Sequence, residues 1–128
     1  MTEYANQAPI DVNIDLSYLN EVSSGSREFI VEMIDMFLEQ TPVYFEQLNE
    51  AIQAQDWLVV AHLAHKVKPT LAFMGTHSAK DKIAEIEHKA RNQEKLEEIN
   101  LIFNQLYSQK QQLFNNLKEA KESLEGAD

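Results

Sequence analysis

The sequence predicts an all-α fold, an up-down antiparallel four-helix bundle with a short N-terminal helix, and three observations point that way. Apolar residues recur at three- and four-residue steps through every long segment. No stretch alternates apolar and polar residues as a half-buried strand does. The segments are joined by short connections, which favour antiparallel neighbours. A chain of 128 residues with 44% hydrophobic content suits one globular domain. Residues 1–14 are aperiodic and carry Pro9, so the reading is a flexible lead-in over 1–14 and a single bundle domain over 15–128.

Taken in order, Asp15, Leu16, Ser17, Tyr18 and Leu19 read as a short helix that lays Leu16 and Leu19 over the body of the fold. Ser23, Ser24, Gly25 and Ser26 form a turn with several N-cap candidates. Phe29, Ile30, Met33, Met36, Phe37, Phe45, Leu48 and Ile52 then keep a helical period, interrupted at Thr41-Pro42. Proline is tolerated in a first turn and costly inside a helix, so this is a kinked long helix or two helices end to end. Asp56 is placed to cap the next helix and Gly75 to close it in a left-handed conformation. Thr76 is placed to cap a helix containing Ala79, Ile83, Ile86 and Ala90. The pattern pauses at Asn92-Gln93, and Leu96, Ile99, Phe103, Leu106, Leu113, Leu117 and Leu124 mark the last and longest helix.

Charge and composition exclude several functions. A formal charge of −10 argues against a nucleic-acid binder, which needs clustered Lys and Arg to meet phosphates. With no cysteine there is no disulfide framework, thiolate chemistry or Cys-ligated zinc, as suits a reducing compartment. No apolar run approaches the roughly 18 residues that span a bilayer, and the opening residues lack a basic-then-apolar leader. The expectation is a soluble, cytoplasmic protein that neither crosses nor binds a membrane. The charge is also uneven: residues 1–61 hold eleven acidic residues and one basic one, Arg27, whereas residues 62–91 hold six basic residues against three acidic ones.

The basic segment contains the stretch with most chemistry in it. Trp57, Val60, Ala61, Ala64, Val67, Leu71 and Met74 form one helical stripe facing a core. At roughly 100° per residue, His65 falls at the edge of that stripe, with Lys68 one turn further on and on the side facing back toward the core. Leu58, His62, Pro69, Ala72 and Phe73 share the outward side, an apolar set for a solvent-facing strip, and suggest a docking surface. Other uses of these histidines lack partners. Glu85 and His88 have the Glu-x-x-His spacing of carboxylate-bridged metal bundles, but Val59, His62 and Met74 stand three before His62, His65 and His77, so no second copy exists and no metal site is expected. Glu85 and His88 then read as exposed helix residues, and His77 as a surface histidine. No nucleophile-elbow serine, thiol or Gly-rich phosphate loop supports a hydrolase or a kinase. Residue pattern alone leaves a non-catalytic helical scaffold or interaction module open, with the last helix offering a dimerisation stripe.

His65, Lys68 and Gly75 together form an H-x-x-K-x(6)-G pattern that resembles the core of histidine-containing phosphotransfer (HPt) domains. Asp56-Trp57 before the helix, Ala64 ahead of the histidine, and Phe29-Ile30, Met33-Ile34 and Phe37 upstream resemble the same family. The likeness covers residues 15–91, and the last helix by type. It implies a phosphorelay intermediate of two-component signalling. His65 would accept a phosphoryl group on Nε2 from a receiver-domain phospho-aspartate and pass it to another receiver aspartate. Lys68 would pair with the phosphoryl oxygens, and Gly75 would shape the helix end. The partners implied are receiver domains of response regulators or of hybrid histidine kinases, which bring the aspartate and the Mg²⁺; the chain itself would be a monomeric carrier without cofactor or kinase machinery. His65 is preferred to His62 because only His65 has Lys three residues on and Gly ten residues on. Pro69 departs from the family, which usually has Gly after the lysine. A proline there cannot donate to the His65 carbonyl and crowds it, so a bend or a lengthened turn is expected at residues 65–69.

Overall fold

The computed structural model describes residues 12–126. Among them are five helices: α1 (Ser17–Val22), α2 (Arg27–Gln53), α3 (Trp57–Phe73), α4 (His77–Asn92) and α5 (Leu96–Gly126), with no strand. Helix α2 packs on α3, α3 on α4, α4 on α5, and α5 returns to α2, so the four long helices enclose one core. That core holds Ile34, Phe37, Phe45 and Leu48 from α2, Val60, Ala64, Val67 and Leu71 from α3, Ile83 and Ile86 from α4, and Ile99, Phe103 and Leu117 from α5. Trp57 is half-buried against it at the start of α3. Phe45 meets Phe103 edge-on with ring centroids 6.4 Å apart, tying α2 to α5.

The caps follow the sequence in two cases and depart from it in a third. Ser26 accepts a hydrogen bond from the Phe29 amide at 3.3 Å, and Asp56 accepts one from the Val59 amide at 3.4 Å, each satisfying an amide that the first helical turn leaves unpaired. Thr76 does not cap α4 with its side chain. Its buried hydroxyl donates instead to the Leu71 carbonyl at 2.7 Å, an acceptor near the end of α3 that the Thr76 amide also meets at 3.1 Å.

Pro42 and Pro69 both lie within continuous helix. Pro42 is inside α2, so one long helix replaces the pair that the sequence also allowed. Pro69 is inside α3, where residues 65–69 are α-helical throughout and no lengthened turn occurs. A proline inside a helix costs about 3 kcal/mol. Val67 and Leu71, both fully buried, bracket Pro69 and hold the helix to the core on either side of it. Phe29 and Met36 are exposed rather than part of the core stripe. The buried side of α2 is centred on Ile30, Ile34, Phe37 and Thr41, and Phe29 and Met36, seven residues apart, share its margin.

Of the lead-in, residues 1–11 lie outside the described residues. Val12 is buried, Ile14 packs on the core, and the Val12 carbonyl accepts a hydrogen bond from Asn116 Nδ2 at 3.1 Å. The helix that follows starts at Ser17, two residues later than the periodicity suggests, because Asp15 accepts from the Ser17 amide at 2.9 Å and occupies the turn before it. Leu19 is buried and Leu16 packs on the core.

This segment is fastened to the end of α3. The Asp15 amide donates to the Met74 carbonyl at 3.1 Å, and Gly75 follows with φ +70°. A Cβ at position 75 would lie 2.1 Å from the Asp15 carbonyl oxygen. Glycine is needed here twice over, for the left-handed backbone and for the close approach of another strand of main chain. Replacing Gly75 by Ala should therefore lower the unfolding free energy by about 2–4 kcal/mol in urea titrations. A loss below about 1 kcal/mol would mean that this junction gives way easily.

Candidate functional site

His65 lies at the middle of α3, exposed on the side facing α4. Its position follows from the helical stripe: Ala64 and Val67 are fully buried, and of the two exposed residues between them His65 is the one that reaches α4. The His65 side chain is 64% exposed, yet its Nδ1 lies 3.0 Å from Glu87 Oε2. Glu87 comes from α4, where Ile83, Ile86 and Ala90 are buried around it, and its side chain is only 10% exposed. A carboxylate so far removed from water must be paired. Lys68 Nζ donates to Glu87 Oε1 at 2.7 Å, and Arg91 Nη2 donates to Oε2 at 2.8 Å. One carboxylate thus collects an imidazole and an ammonium from α3 and a guanidinium from its own helix, one turn on.

Burial pushes the Glu87 carboxyl up, but hydrogen bonds and charge from Lys68 and His65 outweigh it, so the group is held below the usual 4.5. It is ionised at neutral pH and can only accept hydrogen bonds. In the neutral imidazole the proton must therefore sit on Nδ1, the nitrogen facing Glu87. Nε2 then carries the lone pair, on the edge of the ring away from the carboxylate. Such an arrangement can present an oriented nitrogen nucleophile to an incoming electrophile while a fixed anion meets the positive charge that develops on the ring.

The other residues singled out by sequence spread along the same helix. Leu58 is 78% exposed, His62 and Pro69 are exposed, and Ala72 is only partly so. Phe73 is partly covered, its ring stacked on Tyr18 of α1 with centroids 5.5 Å apart. Val59 is exposed on this helix as well, and Tyr18 carries the apolar surface across to α1. Gly75 does not reach the histidine; it acts at the end of α3, through the Asp15 junction. Glu85 is half-buried rather than exposed, 3.9 Å from Lys89, which also reaches Glu98 of α5 at 3.2 Å. His88 is exposed and faces Asn92, and His77 is exposed at the start of α4.

Sequence reasoning did not reach Glu87 or Arg91. The signal was present, since Glu87 falls four residues after Ile83 and three before Ala90 on a stripe otherwise apolar. An acidic residue at a core-facing position has to find cations or a histidine on the facing helix. The Glu-x-x-His spacing points to Glu85 and His88 instead.

A comparison with protein-family models matches the Hpt domain over residues 32–126, from within α2 to the end of α5. The chain belongs to the Hpt domain family. No curated protein and no solved structure gives a significant match. Hpt domains are helical bundles that serve as phosphocarrier modules in two-component signalling, and the helical fold described above is of that kind.

The Glu87 cluster has a definite pH signature. Because the folded carboxyl binds protons more weakly than it does in the unfolded chain, its contribution to stability is fully present above the unfolded value and is lost as pH falls through the lowered one. The stability difference between the native protein and Glu87→Gln should be constant near neutral pH and should change as pH drops below 4.5, to the native protein's disadvantage. Urea unfolding of both proteins between pH 8 and 3 checks it. A difference that stays constant to pH 3 would show that the ion pairs do not lower the carboxyl's proton affinity.

Proposed function

We propose that His65 is the phosphoryl acceptor of a phosphorelay intermediate, receiving the group from one receiver domain's phospho-aspartate and returning it to another receiver's aspartate. The observation that carries this reading is the Nδ1 contact to Glu87, which leaves Nε2 as the free nucleophile on an exposed ring. The Nε2 lone pair attacks phosphorus, the bond between phosphorus and the aspartyl oxygen breaks, and the aspartate leaves with that electron pair. The Nδ1 proton stays on the ring, and Glu87 balances the positive charge that the new N–P bond brings. Donation to the next receiver is the same sequence reversed. Phosphoryl transfer needs mainly positioning and charge neutralisation. Lys68, one turn from His65, is suited to meet the transferred oxygens. The catalytic aspartate and the Mg²⁺ belong to the receiver, so the chain acts as a carrier and not as an enzyme in its own right.

Leu58, His62, Pro69, Ala72 and Phe73 are the proposed receiver-docking residues, joined by Tyr18. Pro69 is compatible with this because its ring is exposed and small, leaving room for the partner beside His65. Residues 15–128 would work as one phosphotransfer unit, monomeric between encounters, in the cytoplasm where receiver domains are met.

Incubation with phosphorylated receiver domains tests the assignment. The native protein should take up acid-labile phosphate, His65→Gln should take up none, and His62→Gln should keep most of the native rate. Lys68→Ala should slow transfer without unfolding the bundle. Uptake by His65→Gln at the native rate would remove His65 from the chemistry, and a native protein that binds receivers without acquiring phosphate would favour a scaffold.

A further inference from the structure

The Glu87 cluster poses a charge problem that the acceptor role makes acute. A phosphoryl group on His65 Nε2 adds close to two negative charges, and Lys68, the cation one turn further along α3, is already committed to Glu87 Oε1. The carboxylate lies on the Nδ1 side of the imidazole and the phosphoryl group would lie on the Nε2 side, at opposite edges of one ring. If Lys68 turned to the phosphoryl oxygens with nothing in its place, Glu87 would be left as a buried carboxylate short of a cation, which is strongly unfavourable.

We propose that Arg91 is the positioning residue that allows Lys68 to change partners, by acting as the counter-ion of Glu87 in the phosphorylated state. This rests on His65 as the acceptor. Three features support it. Arg91 already touches Glu87, through Nη2 to Oε2 at 2.8 Å, and shares that oxygen with His65 while Lys68 holds the other. The guanidinium is a planar fork, able to span both oxygens of a carboxylate once Oε1 is vacated. Its position is also right: Arg91 stands four residues after Glu87 on α4, and Lys68 three after His65 on α3. The cation on the histidine's helix follows the phosphoryl group, and the cation on the carboxylate's helix stays with the carboxylate. Arg91 is 58% exposed, so the fork can move without repacking the core. In this arrangement Arg91 contacts neither the phosphoryl group nor the receiver.

A double-mutant cycle distinguishes this role from a direct one. Native protein, Arg91→Gln, Glu87→Gln and the double variant are phosphorylated from a receiver domain, separated from it, and followed for loss of phosphohistidine. Glu87→Gln retains an amide oxygen that can accept from Nδ1–H, so it remains able to carry the group. Arg91→Gln should shorten the phosphohistidine lifetime roughly 3- to 10-fold in the native background, the size of one partly exposed charge-assisted contact. With Glu87→Gln there is no carboxylate to compensate, and the same substitution should change the lifetime by less than about twofold. Arg91→Lys should restore part of the loss, since an ammonium takes one oxygen where the fork takes two. An equal loss in both backgrounds would mean that Arg91 acts directly on the phosphoryl group, and no loss in the native background would mean that Lys68 bridges both anions unaided; either overturns the proposal. The thermal midpoint of Arg91→Gln, expected near native for an exposed residue, separates these results from unfolding. Labelling of His65→Gln would instead overturn the acceptor assignment on which the proposal rests.

Discussion

A carboxylate withdrawn from water on α4 sets the conditions for everything around His65. Burying an ionised group is costly unless it is paired and hydrogen-bonded, and Glu87 meets that condition through three donors on two helices. The requirement runs in both directions. The carboxylate stays ionised because Lys68 and His65 meet it, and His65 holds one orientation and one tautomer because the carboxylate is fixed by its burial among Ile83, Ile86 and Ala90. Packing of α4 against α3 is thereby converted into the chemical state of a single surface imidazole.

The rest of the fold keeps those two helices in register. Helix α3 ends at a left-handed Gly75 with the Asp15 main chain lying against it, and the Thr76 hydroxyl closes the same turn from inside. The turn between the two helices that build the site is therefore clamped, and α1 is brought beside Phe73 by the same junction. Pro69 can sit one turn from His65 because the core on either side of it holds the helix. Its ring removes one hydrogen bond on the exposed face, where water can replace it.

Much of this was legible in the sequence because it rests on periodicity and on local rules. The long helices, the Ser26 and Asp56 caps, the Gly75 turn and the exposure of His65 all depend on residues within a turn or two of one another. What escaped depends on contacts between helices. Glu87 and Arg91 acquire their role only when α4 lies against α3, twenty-two residues beyond His65 in the first case. Thr76 is an equally good cap by local rules, but its hydroxyl turns back to the Leu71 carbonyl, which its own amide also meets. Phe29 and Met36 have the right spacing for the core, but the centre of the α2 stripe is set by which neighbours it meets, and that placed them at its margin.

The charge asymmetry of the chain takes on meaning beside this site. Lys66, Lys68 and Arg91 belong to the basic segment that carries the histidine, while α2 is acidic along much of its length. Their charge favours the approach of an acidic partner surface toward His65. The role of His65 turns on the tautomer that Glu87 imposes. The most direct test is the ¹⁵N NMR spectrum of the His65 ring in the unphosphorylated protein, at an alkaline pH where imidazoles are neutral. The account predicts a protonated Nδ1 and an unprotonated Nε2, with the preference weakened in Glu87→Gln; a ring protonated on Nε2, or a native mixture indistinguishable from that of a free histidine, would contradict it.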